Sequence, residues 1–214
     1  MTRRPYDSSS RRDAAALTRH RIIATTTHLL ASRGYDDLSV SVVASEAGVS
    51  PQTIYNSIGG KGALLKACYD VALAGDEKEI PMSSRPEFLA LGQASSAREF
   101  LVRYAAWACI LNARVAGILA PLVALEASRD AGAAGFLAVI DRERRIGSTH
   151  AMTQLQQRFG LRQGQSLETA VDICWTLNSP ELYARLVVRC GWSTAAFESW
   201  LARELRASLL PDGG

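Results

Sequence analysis

A short, glycine-punctuated stretch at residues 42–65 constrains the fold of this chain more than any other feature. It reads VVASEAGVSPQTIYNSIGGKGALL and lies between two segments in which apolar residues recur at helical spacing. Ser39 can cap a short helix that Gly48 ends, and Ser50 can cap a second helix with Pro51 at its first position. The stretch therefore predicts two short helices joined by a tight turn.

Small and apolar residues in this stretch indicate how the two helices pack. A helix-turn-helix needs a small residue where the helices cross, a glycine in the turn and apolar residues that hold the pair together. These positions are occupied by Ala44, Gly48, Val49 and Ile54. An ordinary helical hairpin would use a similar pattern, but Lys61 and the excess of basic residues in the N-terminal third favour the helix-turn-helix.

The glycines next to Lys61 could also indicate a phosphate-binding loop. That loop requires the pattern G-x-x-x-x-G-K-[ST] after a strand. Gly62 follows Lys61, Tyr55 stands at the position of the first glycine, and no strand pattern precedes the stretch. The sequence therefore excludes a nucleotide-binding loop.

The second short helix carries hydrogen-bonding side chains that packing does not require. Outward-facing polar groups of this kind can contact DNA, and we expect this of Gln52, Thr53, Tyr55 and Asn56. Lys61 begins the next helix, where backbone N–H groups and the helix dipole already favour an anion. It therefore suits a DNA phosphate, although a solvated lysine is the simpler alternative.

Basic residues are concentrated in the N-terminal third of the chain. Residues 1–66 carry nine Lys or Arg against five Asp or Glu, and the rest carries fifteen against sixteen. This asymmetry is consistent with an acidic partner for the N-terminal part. Four arginines of the leading segment could bind a minor groove or phosphates, or form a solvated tail. They are Arg3, Arg4, Arg11 and Arg12.

The whole sequence favours an all-α protein, because alanine, leucine and arginine are frequent and strand patterns are few. We predict a flexible basic arm over residues 1–17 and a three-helix helix-turn-helix DNA-binding domain over 18–66. A connecting helix would lead to a helical ligand-binding and dimerisation domain over 67–214. The helices predicted in that domain are 95–112, 115–127, 133–159, 166–178, 181–190 and 193–209.

An apolar stripe in the predicted C-terminal domain has two interpretations. Phe100, Tyr104, Trp107 and Leu111 recur at spacings of four, three and four, which is typical of plain core. The same stripe could line a ligand pocket, because small-molecule sites combine apolar walls with a few polar groups. Polar groups or a further aromatic would then come from Asn112, Trp175 and Asn178.

The last helices carry more apolar surface than a terminal hairpin readily buries. A two-fold helix-bundle interface would cover this surface and would make the chain a homodimer. The residues predicted for that interface are Trp175, Leu182, Phe197, Trp200, Leu201 and Leu205.

Other classes of protein have little support in the sequence. The nucleophile and metalloprotease motifs G-x-S-x-G, H-E-x-x-H and E-x-x-H are missing, and the three histidines lack metal-ligand spacing, so we expect no enzyme, metal or cofactor. The four cysteines are far apart and are expected to be reduced and mostly buried. Without a signal peptide or membrane-spanning stretch, the expected location is the cytoplasm.

Two segments resemble the tetracycline-repressor (TetR) family of bacterial regulators. Residues 19–35 read RHRIIATTTHLLASRGY and residues 38–55 read LSVSVVASEAGVSPQTIY, followed by Lys61. Residues 175–201 read WTLNSPELYARLVVRCGWSTAAFESWL and resemble the end of actinobacterial-type members. The resemblance implies a homodimeric regulator, usually a repressor, that binds a roughly palindromic operator and responds to an unidentified small molecule.

The resemblance also implies roles for the site residues. Gln52, Thr53 and Asn56 would face bases, whereas Tyr55 and Lys61 would bind the DNA backbone. Two serines would support phosphate contacts or cap helices; they are Ser39 and Ser50.

Several residues depart from the family pattern, most of them near the end of the second short helix. An aromatic residue is usual at Ile58, a histidine or tyrosine at Ser57, serine or asparagine at Gly60, and an acidic residue at Gly62 and Val42. Gly62 cannot supply the carboxylate that would cap the connecting helix, and Gly60 adds backbone freedom. We therefore expect a looser junction before that helix. The alternative function is therefore a helical dimer that binds a small molecule or protein and has weakened DNA binding.

Overall fold

The computed structural model describes residues 8–78, 80–126 and 131–211. All regular structure in these ranges is helical, which confirms the all-α prediction. The longer helices are α1 (Ser8–Arg33), α2 (Val40–Ala47), α3 (Pro51–Ser57), α4 (Lys61–Ala74), α6 (Ala97–Glu126), α7 (Ala131–Phe159), α8 (Leu167–Leu177) and α10 (Thr194–Leu209). Two one-turn helices are α5 (Pro86–Leu89) and α9 (Pro180–Tyr183), and α9 continues into a π-helical turn at Ala184–Arg189.

The chain divides into two compact units, with the division between Ala72 and Leu73. The sequence placed this boundary after residue 66. Among the described residues, no helix combines the length and apolarity that a bilayer crossing requires.

The first unit is a small helical core built around the predicted helix-turn-helix. Its fully buried residues include Ile22 of α1, Val43 of α2, Ile54 of α3 and Leu64 of α4. Thr26 is also buried, and its hydroxyl donates to the carbonyl of Ile22 at 2.7 Å, so this polar group is satisfied within α1. Each of the four helices therefore contributes apolar surface to one core.

The caps predicted for the two short helices are confirmed. Ser39 Oγ accepts from the N–H of Val42 at 3.2 Å, and Ser50 Oγ accepts from the N–H of Thr53 at 3.1 Å. Gly48 ends α2 with a φ of 64°, a left-handed conformation that glycine adopts without steric cost.

The first helix begins earlier than the sequence indicated. α1 is helical from Ser8, whereas the prediction placed a flexible arm up to residue 17. Strong helix-forming alanines follow Arg11 and Arg12, and the Thr18 hydroxyl donates to the carbonyl of Ala14 at 2.9 Å. Arg11 and Arg12 therefore lie on a helix, while the other two predicted arm arginines, Arg3 and Arg4, fall outside the described residues.

The helices of the second unit differ from the prediction in continuity. α6 runs without a break where the sequence suggested two helices, because the residues near 113 are good helix formers and nothing there ends a helix. The helix even continues through Pro121, whose missing N–H removes one backbone bond. Conversely, the helix predicted at 181–190 is a one-turn α-helix followed by the π-helical turn.

The core of the second unit lies between α6, α7, α8 and α10, with α6 packed against both α7 and α10. Phe197, Leu201 and Leu205 of α10 are fully buried in this core. These three residues were predicted for a dimer interface, but the core of their own unit already covers them. The remaining predicted interface residues, Trp175, Leu182 and Trp200, are only partly buried.

The left-handed turn at Gly48 generates a stability prediction. Gly48→Ala should lower the free energy of unfolding by about 1–2 kcal/mol, because an L-residue is strained at this φ although space for a Cβ is open. Gly147→Ala is the matched control. Gly147 lies inside α7 with open space around it, so alanine should raise stability by up to about 1 kcal/mol. Chemical denaturation followed by circular dichroism measures both changes, and equal effects would contradict the requirement for a left-handed turn.

Candidate functional site

The outer surface of α3 carries the polar side chains predicted to face bases. Gln52 and Asn56 are exposed one helical turn apart, and Gln52 Nε2 donates to Asn56 Oδ1 at 2.9 Å. This bond uses one donor of Gln52 and one acceptor of Asn56, so the Gln52 oxygen and the Asn56 amino group keep their hydrogen-bonding capacity. The structure thus brings these two predicted residues together as one amide pair. Tyr55 lies on the same short helix and is 55% exposed.

The hydroxyl groups at the helix starts are engaged with their own helices. Ser50 Oγ lies 2.8 Å from Thr53 Oγ1 in addition to capping α3. Ser39 Oγ lies 3.0 Å from Ser41 Oγ in addition to capping α2. The sequence left open whether Ser39 and Ser50 cap helices or contact phosphates, and the structure gives both a capping bond.

Lys61 has a partner that the sequence did not predict. Its Nζ donates to the carbonyl oxygen of Tyr35 at 2.8 Å and lies 3.7 Å from the centroid of the Tyr35 ring. The lysine is therefore neither fully solvated nor extended away from the protein. It stands at the first position of α4, as predicted, but its side chain contacts the turn between α1 and α2.

In the second unit, the predicted pocket stripe behaves mainly as core. Phe100 and Tyr104 are fully buried, and Trp107 packs edge-on against Phe88 with ring centroids 5.3 Å apart. Leu111 is partly buried. The core interpretation therefore fits this stripe better than the pocket interpretation.

A chain of polar side chains crosses that core. Asn112 Nδ2 donates to Asn178 Oδ1 at 2.7 Å, and Asn178 Nδ2 donates to Tyr104 Oη at 3.2 Å. Cys174 Sγ donates to the same Tyr104 oxygen at 3.2 Å. Burial raises the pKa of Tyr104 well above its ordinary value and raises the pKa of the Cys174 thiol to about 11. These groups therefore stay neutral at physiological pH and act as hydrogen-bonding groups.

A cleft of about 630 Å³ lies beside this polar chain, and its volume is in the range of small-molecule sites. Its walls come from α6, α7, α8, α9 and the turn after α9. The lining residues are Leu119, Leu137, Ala138, Ile140, Asp141, Arg144, Trp175, Thr176, Ser179, Pro180, Glu181, Leu182 and Arg185. Of the predicted pocket residues, only Trp175 is among them.

The sequence did not predict the role of Arg144, a charged residue of the cleft lining. Its guanidinium donates to Asp141 Oδ1 and to the carbonyls of Trp175 and Asn178, each at 2.9 Å. The arginine therefore ties α7 to the end of α8. In the sequence it stands within the charged run DRERR at 141–145, which resembles a solvated surface and gives no signal of these backbone partners.

The described residues contain no group of three or more His, Cys, Asp or Glu side chains that could hold a metal ion. Cys68, Cys109 and Cys174 are buried, and Cys190 is exposed.

Sequence comparison identifies the first unit. The family profile described as bacterial regulatory proteins, tetR family, matches residues 22–68. The chain carries a TetR-family N-terminal domain. The matched range contains α2, α3 and the Lys61–Tyr35 contact, and it confirms the resemblance carried by the glycine-punctuated stretch.

Solved structures of bacterial transcriptional regulators share the fold of about nine tenths of the chain. A protein of a Rhodococcus species described as a TetR-family transcriptional regulator has 20% identity and a TM-score of 0.67, with 90% of this chain and 98% of that chain covered. A TetR-family protein of Syntrophomonas wolfei has 11% identity and a TM-score of 0.69, with 90% and 94% covered. A transcriptional regulator of Saccharomonospora viridis in complex with choline has 18% identity and a TM-score of 0.60, with 92% and 99% covered. The comparison with curated proteins gives no match.

The buried polar chain of this TetR-type fold generates a second prediction. Tyr104→Phe removes the oxygen that accepts from Asn178 and Cys174, so the partly buried Asn178 amide and the buried Cys174 thiol each lose a partner. The free energy of unfolding should fall by about 1–3 kcal/mol. Tyr55→Phe makes the same chemical change at an exposed site, so its free energy of unfolding should stay within about 0.5 kcal/mol of that of the parent. Denaturant titration compares the two, and an unchanged Tyr104→Phe protein would mean that water replaces the lost oxygen.

Proposed function

We propose that this chain is a ligand-responsive transcriptional regulator, acting as a repressor, that binds a roughly palindromic DNA operator as a homodimer. The observation that carries the proposal is the exposed polar face of α3 within a TetR-type helix-turn-helix. A helix with this position in the motif enters the major groove, and its outward side chains reach base edges.

The amide pair of α3 suits base recognition. Gln and Asn side chains offer a donor and an acceptor together, which matches the N6 and N7 groups of adenine in the major groove. Gln52 and Asn56 already hold each other, so both amides are oriented before DNA arrives. Thr53 would add a short contact to a base. Tyr55 and Lys61 would bind phosphates, which sets the register of the helix on the duplex.

A homodimer would place two copies of α3 in successive major grooves about 34 Å apart. Apolar side chains that the described part of the unit leaves exposed support an interface near the turn between α9 and α10. Val188 is 62% exposed and Trp192 is 37% exposed, with the Trp192 ring edge-on to Trp200. This location replaces the buried face of α10 that the sequence suggested, and Trp200 is common to both proposals.

The cleft beside Arg144 is the proposed effector site. Its lining combines apolar side chains with the charged groups of Asp141, Arg144, Glu181 and Arg185, and small-molecule sites likewise combine apolar walls with a few polar groups. The choline complex of the Saccharomonospora viridis protein supports small-molecule binding by a protein of similar fold. An effector that prefers one arrangement of the second unit would shift the population of DNA-binding dimers.

A second candidate function is a helical dimer with weakened DNA binding. The glycines at 60 and 62 favour it, because neither can supply a side chain that caps the N–H groups at the start of α4. Such a protein would bind a small molecule or another protein through the second unit.

DNA selection from a random duplex library separates the two candidates. A two-fold symmetric motif with a steep negative salt dependence is expected for the regulator. Gln52→Ala and Asn56→Ala should each reduce the preference for one base at defined positions by about 1–3 kcal/mol. Tyr55→Ala should weaken binding to all DNA sequences by the same factor. No enrichment over random duplexes would favour the second candidate.

A cleft-filling substitution tests the proposed effector site. Ala138 lines the cleft, so Ala138→Trp should occupy part of its volume and abolish the thermal stabilisation by compounds that stabilise the parent. Ala113→Trp is the matched control on the exposed surface of α6, outside the cleft lining, and should respond as the parent does. Compounds that still stabilise Ala138→Trp would place the effector elsewhere.

A further inference from the structure

The contact between Lys61 and Tyr35 joins two parts of the first unit that are 26 residues apart in sequence. It combines a hydrogen bond from Nζ to a backbone oxygen at 2.8 Å with a ring contact at 3.7 Å. An ammonium group near the face of an aromatic ring is attracted by the negative charge of that face. Two separate attractions therefore hold one flexible side chain in one place.

The Tyr35 carbonyl is itself fixed by the local backbone. Gly34 ends α1 with a φ of 83°, and the N–H of Leu38 donates to the Tyr35 carbonyl at 3.1 Å. The Tyr35 side chain is only 6% exposed. The acceptor and the ring that hold Lys61 are consequently parts of a rigid turn.

The Lys61–Tyr35 contact stabilises a helix start that has no capping side chain beside it. Gly60 precedes α4 and Gly62 follows Lys61, so neither neighbour provides a capping side chain. The sequence alone therefore indicated a loose junction between α3 and α4. Lys61 connects the first residue of α4 directly to the turn that precedes α2, and this connection fixes the junction by another route.

We propose that Tyr35 is a positioning residue that holds the Lys61 ammonium ready for a DNA phosphate. An ammonium group has three N–H donors, and the Tyr35 carbonyl takes one of them. The others can donate to a phosphate oxygen at the start of α4, where the backbone N–H groups add positive potential. A lysine that is already ordered loses less conformational freedom on binding. The inference rests on the proposed DNA binding and adds a residue outside α3 and α4 to it.

A double-mutant cycle tests the positioning role. The proteins are the parent, Tyr35→Leu, Lys61→Ala and the double variant, each titrated onto the same fluorescent 30-base-pair duplex at several salt concentrations. Tyr35→Leu should weaken binding about three- to tenfold while keeping the salt slope, because the phosphate contact still forms after Lys61 is ordered. Lys61→Ala should reduce the salt slope by about 1. In the Lys61→Ala background, Tyr35→Leu should have no further effect.

Two controls accompany the cycle. Both Tyr35→Leu and Tyr35→Phe keep the backbone carbonyl, but only Tyr35→Phe keeps the aromatic ring, so it should bind as the parent does. Arg203→Ala removes one positive charge from the exposed surface of α10 and reports any general effect of net charge. Thermal unfolding of each protein identifies variants that are not folded.

A spectroscopic measurement on the parent protein does not depend on any variant folding. The Tyr35 ring should displace the NMR signals of the Lys61 ε-methylene protons upfield, and this displacement should persist when the duplex is added. Loss of the displacement on DNA binding would mean that Lys61 leaves Tyr35, which overturns the positioning role.

The outcomes separate this inference from the proposed function. If the parent binds the duplex but Tyr35→Leu weakens binding equally with and without Lys61, Tyr35 is merely structural and DNA binding stands. An unchanged salt slope in Lys61→Ala also overturns the inference, because no phosphate contact is then lost. If the parent does not bind duplex DNA at any salt concentration, the proposed function fails and the positioning role fails with it.

Discussion

The left-handed backbone turn at Gly48 is the constraint on which the proposed DNA-binding face of α3 depends. It ends α2 and allows the N–H of Val49 to donate to the carbonyl of Ala44 at 3.0 Å, so the chain reverses within a few residues. Ser50 then starts α3 at once by capping it. Because the turn is this short, Ile54 reaches the common core while the opposite face of α3 remains exposed. The direction of the polar face is thus set by backbone geometry rather than by the polar residues themselves.

The features that sequence predicted correctly are those that depend on neighbouring residues. The caps at Ser39 and Ser50 and the turn glycine act within four residues, so their spacing in the sequence is sufficient. The Lys61–Tyr35 contact could not be read in the same way, because the helical path between the two residues decides whether they meet. Local spacing gave the position of Lys61 on α4 but not the direction of its side chain.

Helical periodicity predicted an apolar face for α10 but not its partner. The stripe that contains Phe197, Leu201 and Leu205 could cover either the core of its own unit or a second copy of the chain, and both uses produce the same spacing. The structure assigns it to the core, since α6 lies against it. Charge patterns in the sequence have the same limitation, as Arg144 shows. A charged run predicts a solvated surface until the backbone carbonyls at the end of α8 supply partners.

The proposed response to a ligand needs an element whose arrangement both the cleft ligand and the DNA-binding unit bias. Contacts within the second unit provide candidate steps for it. Arg144 holds the carbonyl of Asn178, and the Asn178 side chain accepts from Asn112 of α6. Arg114, less than one turn further along α6, donates to the carbonyls of Leu73 and Ala74 at the end of α4, at 3.2 and 3.4 Å. A cleft ligand that competes for Arg144 would therefore act on α6 through the Asn112–Asn178 amide pair, and α6 in turn holds the carbonyls of Leu73 and Ala74. Polar contacts suit this task, because hydrogen bonds exchange between defined partners while apolar packing resists small displacements.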